Sequence, residues 1–197
     1  MKNDLKYSDI NNEFSTGDII LFHGPSEESE IIEKIDHSPF SHVGIVVRLE
    51  GTDHNRPLLW ESSEITELTD FETKGKRSGV HLVDLEKVLK HCLNHPSKSG
   101  QKYKFAWRKL DSGQTKNLVQ NFETFMNKVD GRAFPSLAQM AEHFLEGRLE
   151  IKTNMRTYFC SELASDTYMH LNLISKDHPP NYYSPGSFSQ EHFELEM

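Results

Sequence analysis

The chain has few cysteines and no long hydrophobic stretch. Its 197 residues include two cysteines, Cys92 and Cys160, which are too few for the disulfide framework of a secreted domain. No apolar run approaches the roughly 18 residues that a membrane-spanning helix needs, and Met1–Tyr7 lacks the apolar segment of a secretory signal. These absences predict a cytoplasmic protein without an integral membrane segment.

An excess of basic residues is also missing. The chain carries 22 Lys and Arg against 30 Asp and Glu, a formal net charge of −8. A nucleic-acid-binding protein normally shows a basic stripe, so we expect no nucleic-acid partner. No internal repeat, low-complexity tract or linker divides the sequence. We therefore expect residues 1–197 to form a single domain, with residues 1–15 as a loose N-terminal arm.

The chain does contain short β-branched runs followed by amphipathic stretches. Apolar runs bounded by turn signals predict five strands, at 19–22, 42–49, 58–62, 79–83 and 103–108, the last of them half exposed. Helical spacing of apolar residues predicts five helices, at 27–35, 84–91, 115–129, 136–149 and 159–173. The turn-forming residues 51–57 predict a hairpin, and the proline-rich tail 179–186 predicts a loop. Strands early and helices late favour an α+β fold, with helices packed on an antiparallel sheet.

Two chemically reactive side chains stand where predicted elements begin. Cys160 opens a predicted helix, where unpaired N–H groups and the positive end of the helix dipole favour thiolate over thiol. His42 opens the most clearly predicted strand, and a nearby imidazole could shuttle a proton during acyl transfer. Alone, the cysteine would read as a small buried hydrophobe and the histidine as a surface residue. Together they predict a cysteine nucleophile.

Five short segments follow one another in an informative order. They are Gly17–Leu21, Ser41–Val46, Trp60–Ser62, Phe159–Leu163 and Tyr183–Phe188. This order resembles the circularly permuted branch of the NlpC/P60 superfamily of papain-like cysteine hydrolases, in particular its YiiX/YebB-like group. The resemblance implies a permuted papain-like α+β fold with the nucleophile at a helix N-terminus. Residues 63–157 match no segment, so we expect them to hold variable specificity elements.

The resemblance also implies roles for three residues. Cys160 matches the nucleophile, His42 the general base, and Glu61 the residue that orients the imidazole, with Glu64 as the alternative carboxylate. In such a triad a thiolate attacks an acyl carbonyl, the imidazolium protonates the leaving group, and a carboxylate fixes the ring. The backbone N–H of Cys160 is a candidate oxyanion donor.

The implied activity is that of a thiol hydrolase or acyltransferase on an amide, thioester or ester. Its substrate would be a small-molecule, acyl or peptide-like compound, with acylated or lipid-like substrates among the options. The alternatives are a peptidase or peptidoglycan-type amidase, and a non-catalytic binding protein on the same fold. No cofactor is expected. No metal is expected either, because Cys92 with His91 and His95 lacks the second ligand pair of a structural zinc site.

Two further residues are candidates for substrate binding. Tyr158 lies two residues before the nucleophile and points either into the cleft or into the core. Phe134 begins an apolar stripe that continues along the predicted helix at Leu137, Met140, Ala141, Phe144 and Leu145. Such a stripe either packs into the core or forms an apolar wall beside Cys160.

The remaining polar residues receive a structural interpretation. Asp18 is expected to be a turn or cap residue, although the resemblance places acidic residues there near the cleft. The other histidines are expected at the surface, namely His23, His37, His54, His81, His91, His95, His143, His170, His178 and His192.

Overall fold

A computed structural model describes residues 5–49, 56–96, 100–110, 117–154, 156–190 and 192–197. In these ranges the chain forms seven strands: β1 (Leu5–Lys6), β2 (Ile19–His23), β3 (His42–Val47), β4 (Leu58–Ser63), β5 (Gly79–Asp84), β6 (Lys104–Arg108) and β7 (Phe193–Glu196). It also forms six α-helices: α1 (Tyr7–Ile10), α2 (Glu27–Asp36), α3 (Leu85–Asn94), α4 (Leu118–Val129), α5 (Leu137–Arg148) and α6 (Cys160–His170). The predicted α+β class is confirmed.

All seven strands belong to one sheet, in the order β1-β7-β6-β2-β3-β4-β5. Every neighbouring pair is antiparallel except β1 and β7, which run parallel at the edge. Strands β3 and β4 form the predicted hairpin, in which Ile45 pairs with Trp60. The predicted turn residues 51–55 lie outside the described part of the chain. Strand β5 continues the meander and pairs Glu61 with His81.

Side-chain caps fix where several helices begin. Ser26 accepts a hydrogen bond from the backbone of Ser29 at the start of α2, and Asp84 caps α3 through Lys87. Ser136 and Gln139 form a reciprocal capping box on α5. Such caps satisfy N–H groups that the helix itself leaves unpaired. None of the helices in the described ranges has the length and apolar character needed to cross a membrane.

Helices cover both faces of the sheet. On one face, α4 and α6 pack on the apolar side chains of the central strands, with Phe122, Tyr168 and Leu163 buried between them. On the other face, α3 and the N-terminal residues cover a second cluster that includes Leu59, Val83 and Val88. The central strands are therefore buried on both sides, as expected when helices lie on both faces of a sheet.

Three sequence predictions about structure are wrong. Residues 5–15 are not a loose arm, because Tyr7, Ile10 and Phe14 are buried in the second cluster. Strand β6 is not half exposed, since it lies between β2 and β7 and its three central residues are buried. The tail is not irregular throughout, because Pro180–Tyr182 and Pro185–Phe188 form short 3₁₀ helices.

Candidate active site

Cys160 is the first residue of α6. Phe159 precedes it as the N-cap and supplies no side-chain cap. An N–H group at the first helical position has no intrahelical carbonyl partner, so the backbone N–H of Cys160 is suited to receive an oxyanion. Cys160 is not in a disulfide bond, and the residue is 7% exposed.

The sheet holds the segment that leads into Cys160. The hydroxyl of Ser62 on β4 donates to the carbonyl oxygen of Tyr158 at 2.7 Å. On the other side, the hydroxyl of Ser161 donates to the carbonyl oxygen of Tyr183 at 2.9 Å. These two hydrogen bonds fix the start of α6 between β4 and the C-terminal 3₁₀ helices.

His42 and Glu61 form a close pair on neighbouring strands. His42 is the first residue of β3, and the β3–β4 register places it diagonally across from Glu61 on the same face. Nε2 of His42 lies 2.7 Å from Oε2 of Glu61. The Glu61 side chain is 1% exposed and that of His42 is 25% exposed. Glu64, the alternative carboxylate, is exposed.

The electrostatics of this pair couple it to the cysteine. Burial acts to lower the pKa of His42, but the charge of Cys160 and hydrogen bonds to Cys160 and Glu61 raise it to about 10. Burial acts to raise the pKa of Glu61, but hydrogen bonds from His42 and His81 lower it to about 2. Because Nε2 of His42 is held by Glu61, Nδ1 is the nitrogen left for the thiol. The arrangement places a thiol, an imidazole and a carboxylate in mutual contact.

His81, predicted at the surface, is instead buried against Glu61. It is 1% exposed, and its Nε2 lies 3.2 Å from Oε1 of Glu61. The surface interpretation failed because it treated each histidine alone. One signal was present in the sequence: His81 interrupts an apolar strand between Val80 and Leu82, where a polar side chain needs a buried partner.

Two cavities meet at Cys160. The first has a volume of about 330 Å³ and contains the polar groups, with His42, Glu61 and Glu64 in its lining together with Phe134 and Cys160. The second has a volume of about 170 Å³ and is lined mostly by apolar side chains of α2 and α5. Phe159, Pro185 and Cys160 also line this second cavity, together with Ser41, Ser161 and Ser184.

The walls of the apolar cavity come from two helices with outward-facing hydrophobic residues. Ile32 and Ile35 of α2 line one side, and Leu137, Met140 and Phe144 of α5 line the other. Ile35 is 57% exposed and Leu137 is 51% exposed. The apolar stripe on α5 was expected either to pack in the core or to form a wall beside Cys160. In the structure, Leu137, Met140 and Phe144 of this stripe form such a wall. The contribution of α2 was not predicted from the sequence.

The C-terminal segment fixes α2 beside Cys160. Asp36, the last residue of α2, accepts hydrogen bonds from the hydroxyl of Ser184 and, at 2.7 Å, from the backbone N–H of Gly186. A Cβ atom at Gly186 would lie 2.5 Å from the Asp36 carboxylate. The absence of a side chain therefore permits the close approach that positions this wall of the cavity.

The other predicted residues have different environments. Phe134 lines the polar cavity and is half buried. Tyr158 packs in the core, and its hydroxyl donates to Asp166 at 2.6 Å and accepts from Arg132 at 3.2 Å. Tyr158 does not line either of the two cavities at Cys160, so of the two alternatives for its side chain the structure has the core position.

Asp18 has the structural role expected of a turn residue. Its carboxylate accepts hydrogen bonds from the backbone N–H of Ser15 and Leu110, each at 2.9 Å, and from the indole of Trp107 at 3.0 Å. Burial raises its pKa despite these hydrogen bonds. Asp18 therefore joins β2 to the end of β6, and it does not line either cavity at Cys160.

The second cysteine also lines the polar cavity, but it lies near the end of α3 and not at a helix N-terminus. Burial, with a smaller contribution from the charge of Glu61, raises the pKa of Cys92 to about 12. Cys92 is therefore protonated at neutral pH. Across the described ranges, no group of three or more His, Cys, Asp and Glu side chains is arranged to hold a metal ion.

The fold and site define an α+β protein with a thiol, an imidazole and a carboxylate gathered at one end of the sheet. The crystal structure of the metalloprotein YiiX from Escherichia coli O157:H7 is similar, with a TM-score of 0.53 and 19% identity over 82% of this chain and 68% of that one. At this identity the likeness shows a shared fold.

Sequence comparisons give a narrower match. An uncharacterised protein of Acanthamoeba polyphaga mimivirus is 32% identical over 101 residues, which cover 43% of this chain. The match spans 36% of the viral protein, so most of that relative has no counterpart here. No protein-family profile matches the chain.

Proposed function

We propose that this protein is a cysteine-nucleophile hydrolase or acyltransferase that acts on an amide, thioester or ester. The observation that carries the proposal is the coupled set of Cys160, His42 and Glu61, in which a cysteine at a helix N-terminus shares a cavity with a carboxylate-held imidazole. A buried Cys–His–Glu set of this kind is suited to acyl transfer because each group favours the charged state of the next.

The reaction proceeds in two steps. The Cys160 thiolate forms a C–S bond to the acyl carbon, the bond to the leaving nitrogen, oxygen or sulfur breaks, and the His42 imidazolium gives its proton to the leaving atom. Water or another acceptor then attacks the thioester while neutral His42 takes its proton, which releases the acyl group and regenerates the thiolate–imidazolium pair. Glu61 keeps the imidazole in place through both steps.

The two cavities support an orientation for the substrate. The leaving group must lie beside the imidazole that protonates it, and His42 lines the polar cavity. The acyl part then extends from Cys160 to the other side, into the apolar cavity between α2 and α5. An apolar lining favours an acyl chain. This favours an acylated substrate over the alternatives of a peptide or peptidoglycan-type amide.

A permuted papain-like fold of the NlpC/P60 type, in its YiiX/YebB-like group, belongs to the same proposal. Its support is the chain order, since His42 and Glu61 precede Cys160, together with the likeness to YiiX. YiiX is described as a metalloprotein. The described residues of this chain do not offer a donor set that fits a metal ion, so no step is assigned to one. A thiol nucleophile must stay reduced, which fits the predicted cytoplasmic location.

The experiment that tests the proposal is acylation of the intact protein by a panel of p-nitrophenyl esters and acyl thioesters, followed by mass spectrometry with peptide mapping. We expect the mass of one acyl group on Cys160. The Cys92→Ala variant is the matched control and should be acylated equally, whereas Cys160→Ala should not be acylated. Acylation only at lysines, or none with any donor, contradicts the proposal and favours a non-catalytic binding protein.

A further inference from the structure

His81 is buried between two hydrogen-bond acceptors. It stands directly opposite Glu61 in the β4–β5 pairing. Its Nε2 lies 3.2 Å from Oε1 of Glu61, and its Nδ1 lies 3.1 Å from the backbone carbonyl oxygen of Arg77. The residue is 1% exposed, so the described protein groups, rather than bulk solvent, satisfy both ring nitrogens.

The chemistry of these partners sets where the protons lie. A backbone carbonyl can only accept a hydrogen bond, and an ionised carboxylate can only accept as well. In a hydrogen bond to either partner, the ring nitrogen of His81 is therefore the donor. Since Oε2 of Glu61 already accepts from His42, each oxygen of this carboxylate is held by a different imidazole. The Glu61 side chain is thereby fixed on both sides.

We propose that His81 is a positioning residue for the reaction of Cys160, acting through Glu61 on the imidazole of His42. This inference rests on the proposed function, because it extends the same chain of groups by one member. His81 does not line either cavity at Cys160, so it has no role in contacting substrate. Its role is to hold the Glu61 carboxylate in the orientation that keeps the His42 ring beside Cys160.

A second set of interactions holds the loop that presents the Arg77 carbonyl. Asp70 accepts hydrogen bonds from the backbone N–H of Leu82 and from the guanidinium of Arg77, each at 3.1 Å. The same guanidinium also pairs with Asp130 at the end of α4. The carbonyl that receives the Nδ1 proton is thus fixed by two carboxylates, neither of which hydrogen-bonds to His81 in the described structure.

The effect of removing His81 follows from the hydrogen bonds that Glu61 would keep and lose. Glu61 would lose one of the two side-chain donors that hold its carboxylate, and the orientation of the His42 ring would no longer be fixed. The other titratable groups that sense the charge of Glu61 are Cys92 and His91 on α3, and they stay in place. Cys160 should then react more slowly, because the His42 ring is less often in position beside it.

The test is the rate of Cys160 alkylation by iodoacetamide as a function of pH, measured by peptide mapping on wild type, His81→Leu and His81→Gln. Loss of a hydrogen bond to a charged group should make His81→Leu about tenfold slower at neutral pH. His81→Gln keeps an N–H donor for Glu61 and should recover most of the rate.

Controls separate positioning from folding. His143→Leu removes a different histidine, one that pairs with the buried Glu162 on α6 at 3.4 Å, and should leave the profile unchanged. Thermal unfolding is recorded for every variant. If His81→Leu does not fold, His81→Met, with its adaptable apolar side chain, takes its place.

The outcomes distinguish this inference from the proposed function. If wild-type Cys160 reacts no faster than the same thiol in the unfolded chain, the proposed function fails. If wild-type Cys160 is fast and the profiles of the folded His81 variants match it, only the role of His81 is overturned. Equal loss in His81→Leu and His81→Gln also overturns it, because that result indicates packing alone.

Discussion

Oε2 of Glu61 lies 2.7 Å from Nε2 of His42, and this contact sets the direction of the site. It occupies Nε2 of His42 and leaves Nδ1 for Cys160. The pair is possible because the β3–β4 register places both residues on the same face of neighbouring strands. The β3–β4 hairpin thus orients the base, and the N-terminus of α6 places the cysteine beside it.

Replacing Glu61 should impair reaction of Cys160 far more than replacing Glu64. Glu61→Gln removes the charge that supports the imidazolium, and loss of the analogous carboxylate in a triad costs up to about 10⁴-fold in rate. Glu64→Gln is the matched comparison, because Glu64 is exposed and also lines the polar cavity, and it should lower the rate far less. The measurement is the rate of acyl-enzyme formation with a p-nitrophenyl ester. Similar losses in the two variants would remove Glu61 from its role.

The stabilising effect of Glu61 should depend on pH in a defined direction. Its pKa falls from 4.5 to about 2 on folding, so its contribution is fully present above pH 4.5 and is lost as the pH falls towards 2. The difference in free energy of unfolding between wild type and Glu61→Gln should shrink over that interval. Urea denaturation at several pH values measures it, and a difference that grows with acidity would contradict the assignment.

The raised pKa of His42 predicts that the stabilising effect of this residue is lost as the pH rises. Because the pKa rises from 6.5 to about 10 on folding, the stabilisation from the imidazolium is present below pH 6.5 and is lost as the pH rises through 10. Urea denaturation of wild type and His42→Ala between these values should show their difference narrowing as pH rises. A constant difference would show that His42 is neutral in the folded protein.

The apolar cavity should select substrates by acyl-chain length. Met140→Glu places a charge in the cavity lining and should slow reaction with p-nitrophenyl decanoate more than with p-nitrophenyl acetate. Leu145→Glu is the matched control, because Leu145 lies on the same helix, is 64% exposed and does not line the cavity. If Met140→Glu lowers only the thermal stability and leaves chain-length preference unchanged, the cavity does not hold the acyl group.

Replacing Gly147 in α5 by alanine should destabilise the protein, although this substitution ordinarily stabilises a helix. Alanine favours a helix interior over glycine, but a Cβ at Gly147 would lie 2.3 Å from the backbone oxygen of Asn181. We therefore expect Gly147→Ala to lower the free energy of unfolding by about 1–3 kcal/mol. Gly75→Ala, whose nearest neighbour would be 3.5 Å away, is the control in the same chemical-denaturation experiment. A stabilised Gly147→Ala would show that α5 packs less closely here.

Local sequence patterns were sufficient for the longer elements. Turn signals around Ile19–Phe22 and the β-branched run after His42 predicted two central strands, and the stripe from Leu118 to Val129 predicted α4. The patterns failed where burial depends on distant partners. Tyr7 and Phe14 lie in a polar stretch, yet they pack beneath the sheet, and β7 gains its place only by pairing with β6.

The candidate site shows the same contrast between features predicted from local sequence and features set by residues far apart in the chain. Cys160, His42 and Glu61 were identified from the residues and their order, and the structure brings them together. His81 was missed because its partner Glu61 is 20 residues away, on a strand whose register with β5 the sequence pattern did not specify. The sequence did not decide between cleft and core for Tyr158, because the partner of its hydroxyl, Asp166, lies in the second turn of α6.

The most direct test of the account compares alkylation of Cys160 and Cys92 by iodoacetamide in native wild type, in native His42→Ala and in urea-unfolded protein. We predict that native Cys160 reacts much faster than the same thiol in the unfolded chain at pH 6, because its thiolate is paired with the His42 imidazolium. The advantage should disappear in His42→Ala, while Cys92 stays unreactive in both native proteins. A native Cys160 that reacts no faster than the unfolded thiol, or one unaffected by His42→Ala, would contradict the account.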